Sequence, residues 1–234
     1  MNKIRAIFFD LDGTLAPLDE DTFIKMYMSL LSAKAIESGH DGQLFMKALG
    51  EGVKAMYTND GHALNETVFW EPLYKAFPTF DKKIYEEFYK NDFKKILVTV
   101  GKNEYARPIV EFCKQHFDYV ILSTNPLFPK VATLLRMGVV GLKEDDFDYI
   151  TSFENSSFCK PNPAYFLDLL QKFNLKPDEV IVLGNNNFED CQCAYDAKIK
   201  SYLIGDCLIY DKRCTMEFEH IEMDKVIDFL KTLI

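Results

Sequence analysis

Two aspartates, two residues apart, follow an apolar segment near the start of the chain. Residues 4–9 are mostly apolar, and Asp10, Leu11, Asp12 and Gly13 come directly after them. Because alternate residues of a strand point to the same side, Asp10 and Asp12 are expected to face the same ligand. Gly13 allows a sharp turn without a side-chain clash. Paired carboxylates at the end of a buried strand can act as a nucleophile and as an acid or base.

Calcium loops and solvated turns are the other structures that contain Asp-Leu-Asp-Gly. A calcium loop has acids at its first, third and fifth positions and glycine at its sixth, whereas glycine is fourth in this chain. A solvated turn does not follow a segment such as Ala-Ile-Phe-Phe, which has to be buried. The sequence therefore favours a catalytic site.

Residues 7–15 resemble the first motif of the haloacid dehalogenase superfamily of aspartate-dependent phosphohydrolases. Residues 119–125 are similar to its second motif, an apolar strand that ends in Ser or Thr. Residues 159–163, which contain Lys160, are similar to the third, a lysine in a loop before a helix. Residues 180–184 resemble the fourth, an apolar strand ended by glycine. The resemblance covers nearly the whole chain.

The end of the fourth segment departs from the family pattern. The family usually has Asp one or two residues after the glycine and a second acid about four residues later. This chain has Asn185, Asn186 and Asn187 before Glu189 and Asp190. The spacing of Asn187 and Asp190 is also similar to that in the dehalogenase version of this motif.

Hydrolysis of a phosphate monoester needs a nucleophile, positive charge and an acid for the leaving alcohol. Asp10 is predicted to form an aspartyl-phosphate, and Asp12 to act as the acid and then as the base; the resemblance implies the same roles. The Thr124 hydroxyl and the backbone amide of Asn125 are expected to bind the phosphoryl group, and Lys160 to neutralise both the phosphate and Asp10. Dehalogenases proper usually lack a carboxylate at position 12, so Asp12 favours oxygen leaving groups.

The resemblance also implies a Mg²⁺ site. Mg²⁺ prefers hard oxygen ligands and keeps several waters. The expected ligands are Asp10, the backbone carbonyl of Asp12 and a side chain of the fourth segment, for which Asn185, Asn186, Asp190 and Glu189 are the candidates. A neutral amide in place of a carboxylate weakens such a site.

The composition indicates a globular protein. The chain has 234 residues, 48% of them hydrophobic, and a net charge of −9. This length allows one large domain or a domain with an insert, and the negative charge argues against nucleic acid or an anionic membrane as a partner. The six cysteines lack zinc spacing, and the sequence has neither a signal-peptide pattern nor a membrane-spanning apolar run. We expect a soluble cytoplasmic protein with reduced thiols.

Apolar strands alternate with helical patterns over most of the chain. This alternation predicts an α/β fold, a doubly wound parallel sheet covered by helices on both faces. The core domain is expected to comprise residues 1–15 and 101–234, with one helix at residues 188–197. Strands are predicted at residues 4–9, 119–123, 180–183 and 201–204, with a short one near 149–151.

Residues 16–100 have helical periodicity instead. Four helices are predicted there, and Asn65 is expected to cap the third. In the resembled family, an insertion at this place is a helical cap domain that closes on the active site.

Together these features predict a Mg²⁺-dependent phosphohydrolase that acts on a small phosphorylated metabolite. A phosphomutase and a dehalogenase-type hydrolase of the same fold are the alternatives among enzymes. Because of the three asparagines, a binding protein that has lost catalytic activity is a further alternative.

Overall fold

The computed structural model describes residues 3–234, in which six parallel strands form one sheet. The spatial order is β3-β2-β1-β4-β5-β6, and each strand is parallel to its neighbours. The predicted doubly wound parallel sheet is confirmed. The strands are β1 (Ala6–Phe9), β2 (Tyr119–Leu122), β3 (Tyr149–Ile150), β4 (Val180–Gly184), β5 (Lys200–Ile204) and β6 (His220–Ile221).

The central strand β1 determines where the functional residues meet. It pairs with β2 on one side and β4 on the other, so that Phe9 is level with both Leu122 and Leu183. All four of its residues are buried because helices cover both faces. The segments that follow β1, β2 and β4 therefore leave the sheet side by side, at the point where the strand order reverses and a crevice forms.

Four helices and a short 3₁₀ helix lie between β1 and the next core helix. They are α1 (Glu20–Glu37), α2 (Gly42–Tyr57), α3 (Asn65–Ala76), α4 (Lys83–Asn91) and the 3₁₀ helix Phe93–Thr99. Their two connections to the core run next to each other, because Leu18 pairs with Val100 and the Gly101 amide donates to the Pro17 carbonyl at 2.7 Å. The cap boundaries at residues 16–100 stay a prediction. Residues 1 and 2, which the predicted core domain includes, lie outside the described residues.

Five helices cover the sheet. They are α5 (Ala106–His116), α6 (Lys130–Val139), α7 (Ala164–Phe173), α8 (Cys193–Asp196) and α9 (Val226–Lys231). The six cysteines are free thiols. Within residues 3–234, none of the helices combines the length and hydropathy needed to cross a bilayer.

The predicted cap at Asn65 is wrong, because Leu64 precedes α3 and Asn65 is its first residue. The Asn65 side chain is instead buried between the inserted helices and the core. It accepts a hydrogen bond from Asn59 Nδ2 at 2.9 Å and donates to Cys159 Sγ at 3.2 Å. A sequence pattern cannot distinguish a local cap from a long-range contact of this kind.

The helix predicted at residues 188–197 is also wrong in form. Residues 187–192 form a turn of π-helix, and α8 occupies only the four residues after it. A single π turn lets an α-helical path accommodate side chains that must point elsewhere, and such turns are frequent at functional sites.

The strand β6 was missed because two residues are too few to give a pattern.

Candidate active site

A cavity of about 200 Å³ opens at the carboxyl ends of β1, β2 and β4. Side chains from α1 and α2 close its other side, so the inserted helices and the core both contribute to it. All of the residues proposed from the sequence as catalytic, phosphate-binding or metal-binding line this one cavity: Asp10, Asp12, Thr124, Asn125, Lys160, Asn185, Asn186 and Asp190.

Lys160 is a buried cation between two buried carboxylates. Its Nζ lies 2.9 Å from Asp10 Oδ1 and 2.5 Å from Asp190 Oδ1, and only 1% of its side chain is exposed. Burial lowers the pKa of Lys160, but Asp10 and Asp190 outweigh it, so the pKa lies well above its ordinary value. Lys160 therefore remains charged where a phosphate would bind.

The Asn125 side chain holds the loop that carries Lys160. Its Oδ1 accepts from the Lys160 amide at 3.2 Å, and its Nδ2 donates to the Lys160 carbonyl at 3.3 Å and to Glu189 Oε2 at 2.9 Å. The neighbouring Thr124 is buried, and its carbonyl accepts from the hydroxyls of Thr151 and Tyr165 at 2.7 and 3.0 Å. These contacts connect the end of β2 to the lysine loop.

Asp10 is oriented from two sides. Its Oδ1 accepts from Lys160, and its Oδ2 lies 3.1 Å from the Thr14 hydroxyl. Burial raises the pKa of Asp10, and Lys160 opposes this rise. Gly13 makes the turn after Asp10 with φ of +78°, and a Cβ there would lie 2.1 Å from Asn185 Nδ2, so only glycine fits.

The fourth segment is held together by its own side chains. Asp190 Oδ2 accepts from the amides of Asn185 and Asn186 at 3.1 and 3.0 Å, while its Oδ1 accepts from Lys160. Asn186 Oδ1 accepts from the amides of Phe188 and Glu189 at 3.0 and 3.1 Å. The oxygens of Asp190 and Asn186 therefore already have donors, and both residues shape the turn.

A model of the haloacid dehalogenase-like hydrolase family matches residues 4–194. The chain belongs to this family. Over 244 residues it is 22% identical to the glyceraldehyde 3-phosphate phosphatase of Methanothermobacter thermautotrophicus, covering 96% of each protein. It is 24% identical over 195 residues to the pyrophosphatase PpaX of Bacillus cereus, covering 80% of this chain and 77% of that protein. The 2-haloacid dehalogenase from Pseudomonas syringae pv. Tomato DC3000 has the same fold, with a TM-score of 0.63, 18% identity and coverage of 99% and 100%.

The donors at the cavity fit Mg²⁺, a metal that phosphatases of the haloacid dehalogenase-like family generally use. Within residues 3–234 there is no group of three or more His, Cys, Asp or Glu side chains arranged to hold a metal. Asn185 nevertheless places an amide oxygen at the site, because its Nδ2 donates to the Cys207 carbonyl at 2.7 Å. Its Oδ1 lies 3.2 Å from the Thr14 hydroxyl, whose single proton is also within reach of Asp10 Oδ2, so this oxygen is less fully engaged than those of Asp190 and Asn186. Mg²⁺ is often held by one or two carboxylates together with substrate phosphates. Asp10, the Asp12 carbonyl and Asn185 are oxygen donors of that kind.

Arg136 on α6 is a charged residue that the sequence analysis missed. It is completely buried, and its Nε lies 2.9 Å from Asp12 Oδ1. Burial raises the pKa of Asp12, while Arg136 and Lys160 lower it. Helical periodicity places Arg136 on the buried face of α6 with Ala132 and Thr133, but it does not show which residues the charge contacts.

The inserted helices contribute an acidic side chain, Glu20, which is the first residue of α1. Burial and the neighbouring carboxylates of Glu189, Asp12 and Asp190 raise the pKa of Glu20 to about 7. Burial also raises the pKa of Glu189. Glu20 and Glu189 thus add two carboxyl groups to the residues that line the cavity.

Proposed function

We propose that this protein is a phosphatase that hydrolyses phosphate esters of small molecules through an aspartyl-phosphate on Asp10. The observation that carries the proposal is the arrangement of Asp10 and Asp12 at one cavity, with the buried Lys160 against Asp10. The phosphatase named among its relatives supports the same class of reaction.

In the first step a carboxylate oxygen of Asp10 attacks phosphorus, and the bond between phosphorus and the leaving oxygen breaks. Asp12 donates a proton to the leaving oxygen, which becomes an alcohol. Lys160 stabilises the negative charge on the transferring group, in a site where water does not screen it. The cavity of about 200 Å³ suits a compact substrate.

In the second step a water molecule attacks phosphorus of the aspartyl-phosphate. Asp12 is now a carboxylate and takes a proton from this water. Inorganic phosphate leaves, and the Asp10 carboxylate is restored. Asp12 is protonated again, so the cycle is closed.

The decisive experiment is a panel of phosphate esters assayed with and without Mg²⁺, together with 2-chloropropionate. Release of phosphate is the result expected, because Asp12 provides a proton that an oxygen leaving group needs. Release of chloride without release of phosphate would instead identify a dehalogenase. The spacing of Asn187 and Asp190 favours that alternative. Turnover of neither class would indicate a binding protein.

Mg²⁺, when bound to Asp10, the Asp12 carbonyl and Asn185, would neutralise charge on the phosphoryl oxygens. Asn185→Asp adds a charged ligand, so we expect the Mg²⁺ concentration for half-maximal activity to fall about tenfold. Calorimetric titration of the substrate-free protein with Mg²⁺ should give the same shift. Without metal the variant should be less stable by about 1 kcal/mol, because it loses the donor to the Cys207 carbonyl.

Asn186→Asp is the matched control for this prediction. The Asn186 oxygen caps the amides of Phe188 and Glu189, so an added charge there should leave the metal requirement unchanged. Equal shifts for the two variants, or none for Asn185→Asp, would count against Asn185 as the ligand.

Glu20→Gln is expected to alter how substrate binding depends on pH. The pKa of Glu20 is about 7, so Glu20 is neutral below that pH and repels a phosphate dianion above it. We expect KM to be about threefold lower in the variant than in the wild type at pH 8, and equal at pH 6. The effect is modest because the Glu20 side chain is exposed and solvent screens its charge. Glu37→Gln, at the other end of α1, is the control; parallel KM profiles for all three proteins would contradict the prediction.

A further inference from the structure

Arg136 lies at the contact between the inserted helices and the core. Its guanidinium carbon is 4.8 Å from the ring centre of Phe128, which follows β2, and 5.5 Å from that of Phe23, which belongs to α1. Both distances are typical of cation–π contacts. The two rings also touch edge to face, with centres 5.8 Å apart. The guanidinium is therefore enclosed by one ring from each part of the fold.

The pairing of Arg136 with Asp12 leaves hydrogen-bonding capacity unused. Nε lies within ion-pair distance of Asp12 Oδ1, but the N–H direction does not make this contact a hydrogen bond. Among residues 3–234, none of the three guanidinium nitrogens has a hydrogen-bond partner, and all are buried. A buried cation with unused donors costs free energy that an apolar side chain of similar size avoids. The pair is therefore a poor way to stabilise the fold.

The contact also gives the two carboxylate oxygens of Asp12 different surroundings. Oδ1 is buried against Arg136, whereas the side chain as a whole is 19% exposed and lines the cavity. Holding Oδ1 in this way leaves Oδ2 to meet the leaving oxygen of a substrate. A proton donor needs such an orientation, because it acts only within hydrogen-bond reach of the reacting atom.

We propose that Arg136 is the positioning residue of Asp12, and that Phe23 of the inserted helices holds Arg136 in place. The acid for the leaving group is then correctly oriented only while α1 packs against the core. The proposal rests on the phosphatase function proposed above. Arg136 itself does not line the cavity, so it acts through Asp12 rather than on the substrate.

The kinetic test compares leaving groups of different basicity in Arg136→Met. The ratio kcat/KM reports the steps up to phosphoryl transfer to Asp10, where Asp12 acts as the acid. For an alkyl phosphate, whose leaving oxygen needs a proton, we expect kcat/KM to fall about hundredfold. For 4-nitrophenyl phosphate, whose leaving group needs little protonation, we expect a loss of less than about threefold.

Three further variants separate positioning from a general loss of structure. Arg136→Lys keeps the charge and should recover part of the alkyl-phosphate activity, although the lysine ammonium is more strongly hydrated and is not planar. Phe23→Leu should also lower kcat/KM more for the alkyl phosphate than for 4-nitrophenyl phosphate, but by a smaller factor than Arg136→Met. Arg107→Met removes an arginine from the surface of α5 and should show no such dependence. Equal losses for both esters in Arg136→Met would overturn the proposal.

A double-variant cycle tests whether Arg136 acts through Asp12. In an Asp12→Asn background, Arg136→Met should cause no further loss of kcat/KM for the alkyl phosphate, since the group it positions no longer donates a proton. A further loss as large as that in the wild type would show that Arg136 acts on something else, and would contradict the proposal.

A crystal structure of Arg136→Met gives a result that does not depend on turnover. We expect the Asp12 carboxylate to leave its wild-type orientation or to occupy two. A single unchanged orientation would overturn the positioning role even in an active enzyme. Conversely, Asp12 could be displaced in Arg136→Met while the wild type hydrolyses no phosphate ester. That result would support the positioning role and reject the phosphatase function.

Discussion

Asp10→Asn is expected to reduce hydrolysis of every phosphate ester by at least about 10⁴-fold, as removal of a nucleophile does in other hydrolases. The amide keeps the shape of the side chain but has no charge with which to attack phosphorus. Initial rates measure the loss, and acid-quenched protein can be examined for covalently bound phosphate, which the wild type should carry and Asp10→Asn should lack. Asp228→Asn, on the surface of α9, is the control and should retain full activity.

The fold of Asp10→Asn should be preserved. Burial and the carboxylates of Asp190 and Asp12 raise the pKa of Asp10, so its charged form is costly in the folded protein. A neutral amide removes that cost while still offering an oxygen to Lys160 or Thr14. We therefore expect the free energy of unfolding at pH 7 to be no lower than that of the wild type. Appreciable activity in a folded Asp10→Asn protein would refute Asp10 as the nucleophile.

The sequence was sufficient to predict which residues meet at the cavity, because most of them follow strands. Parallel strands end at one edge of a sheet, so residues after β1, β2 and β4 meet wherever the helices run. For that reason Asp10, Thr124 and Asn185 could be placed together without knowledge of the packing. Lys160 precedes a helix rather than following a strand, so its position at the site was predicted only from the family resemblance.

The residues that were missed or misplaced depend on contacts distant in sequence. Arg136 lies on a helix that reads as an ordinary amphipathic one, and only the approach of Phe23 and Asp12 gives its charge a partner. Asn65 has the residue type of a helix cap, but a contact with Cys159, 94 positions away, uses its side chain. The π turn of residues 187–192 contains Asp190, which forms an ion pair with Lys160. Local helix propensity does not encode this contact, so the turn could not be predicted from it.

The balance of charge at the cavity explains why a single lysine matters so much. Asp10, Asp12 and Asp190 are carboxylates, and Lys160 and Arg136 are the cations in contact with them. Among residues 3–234, Arg136 forms an ion pair with Asp12 and none with Asp10 or Asp190, so Lys160 is the cation that pairs with these two. The protein has a net charge of −9 and repels an approaching phosphate over long distances. The local charge of Lys160 has to outweigh that repulsion.

Lys160→Met is therefore expected to lower both stability and activity. Removal of one partner from a buried ion pair typically costs about 3–5 kcal/mol, since it leaves an uncompensated charge. Asp10 and Asp190 would both be left in this state. Protonation of a carboxylate relieves the cost, so the folded variant binds protons more readily than the unfolded chain, and its stability should fall as the pH rises. Urea unfolding at pH 5.5 and pH 8 should show a larger deficit at pH 8, and Lys75→Met, exposed on α3, should show none.

A second substitution separates the two effects of Lys160→Met. Adding Asp190→Asn removes one of the two uncompensated carboxylates, so part of the lost stability should return. Activity should not return, because the positive charge that stabilises the transferring phosphoryl group is still absent. If the double variant regained activity along with stability, Lys160 would serve only to neutralise Asp190, and the charge on the phosphoryl group would have to be stabilised by another part of the site.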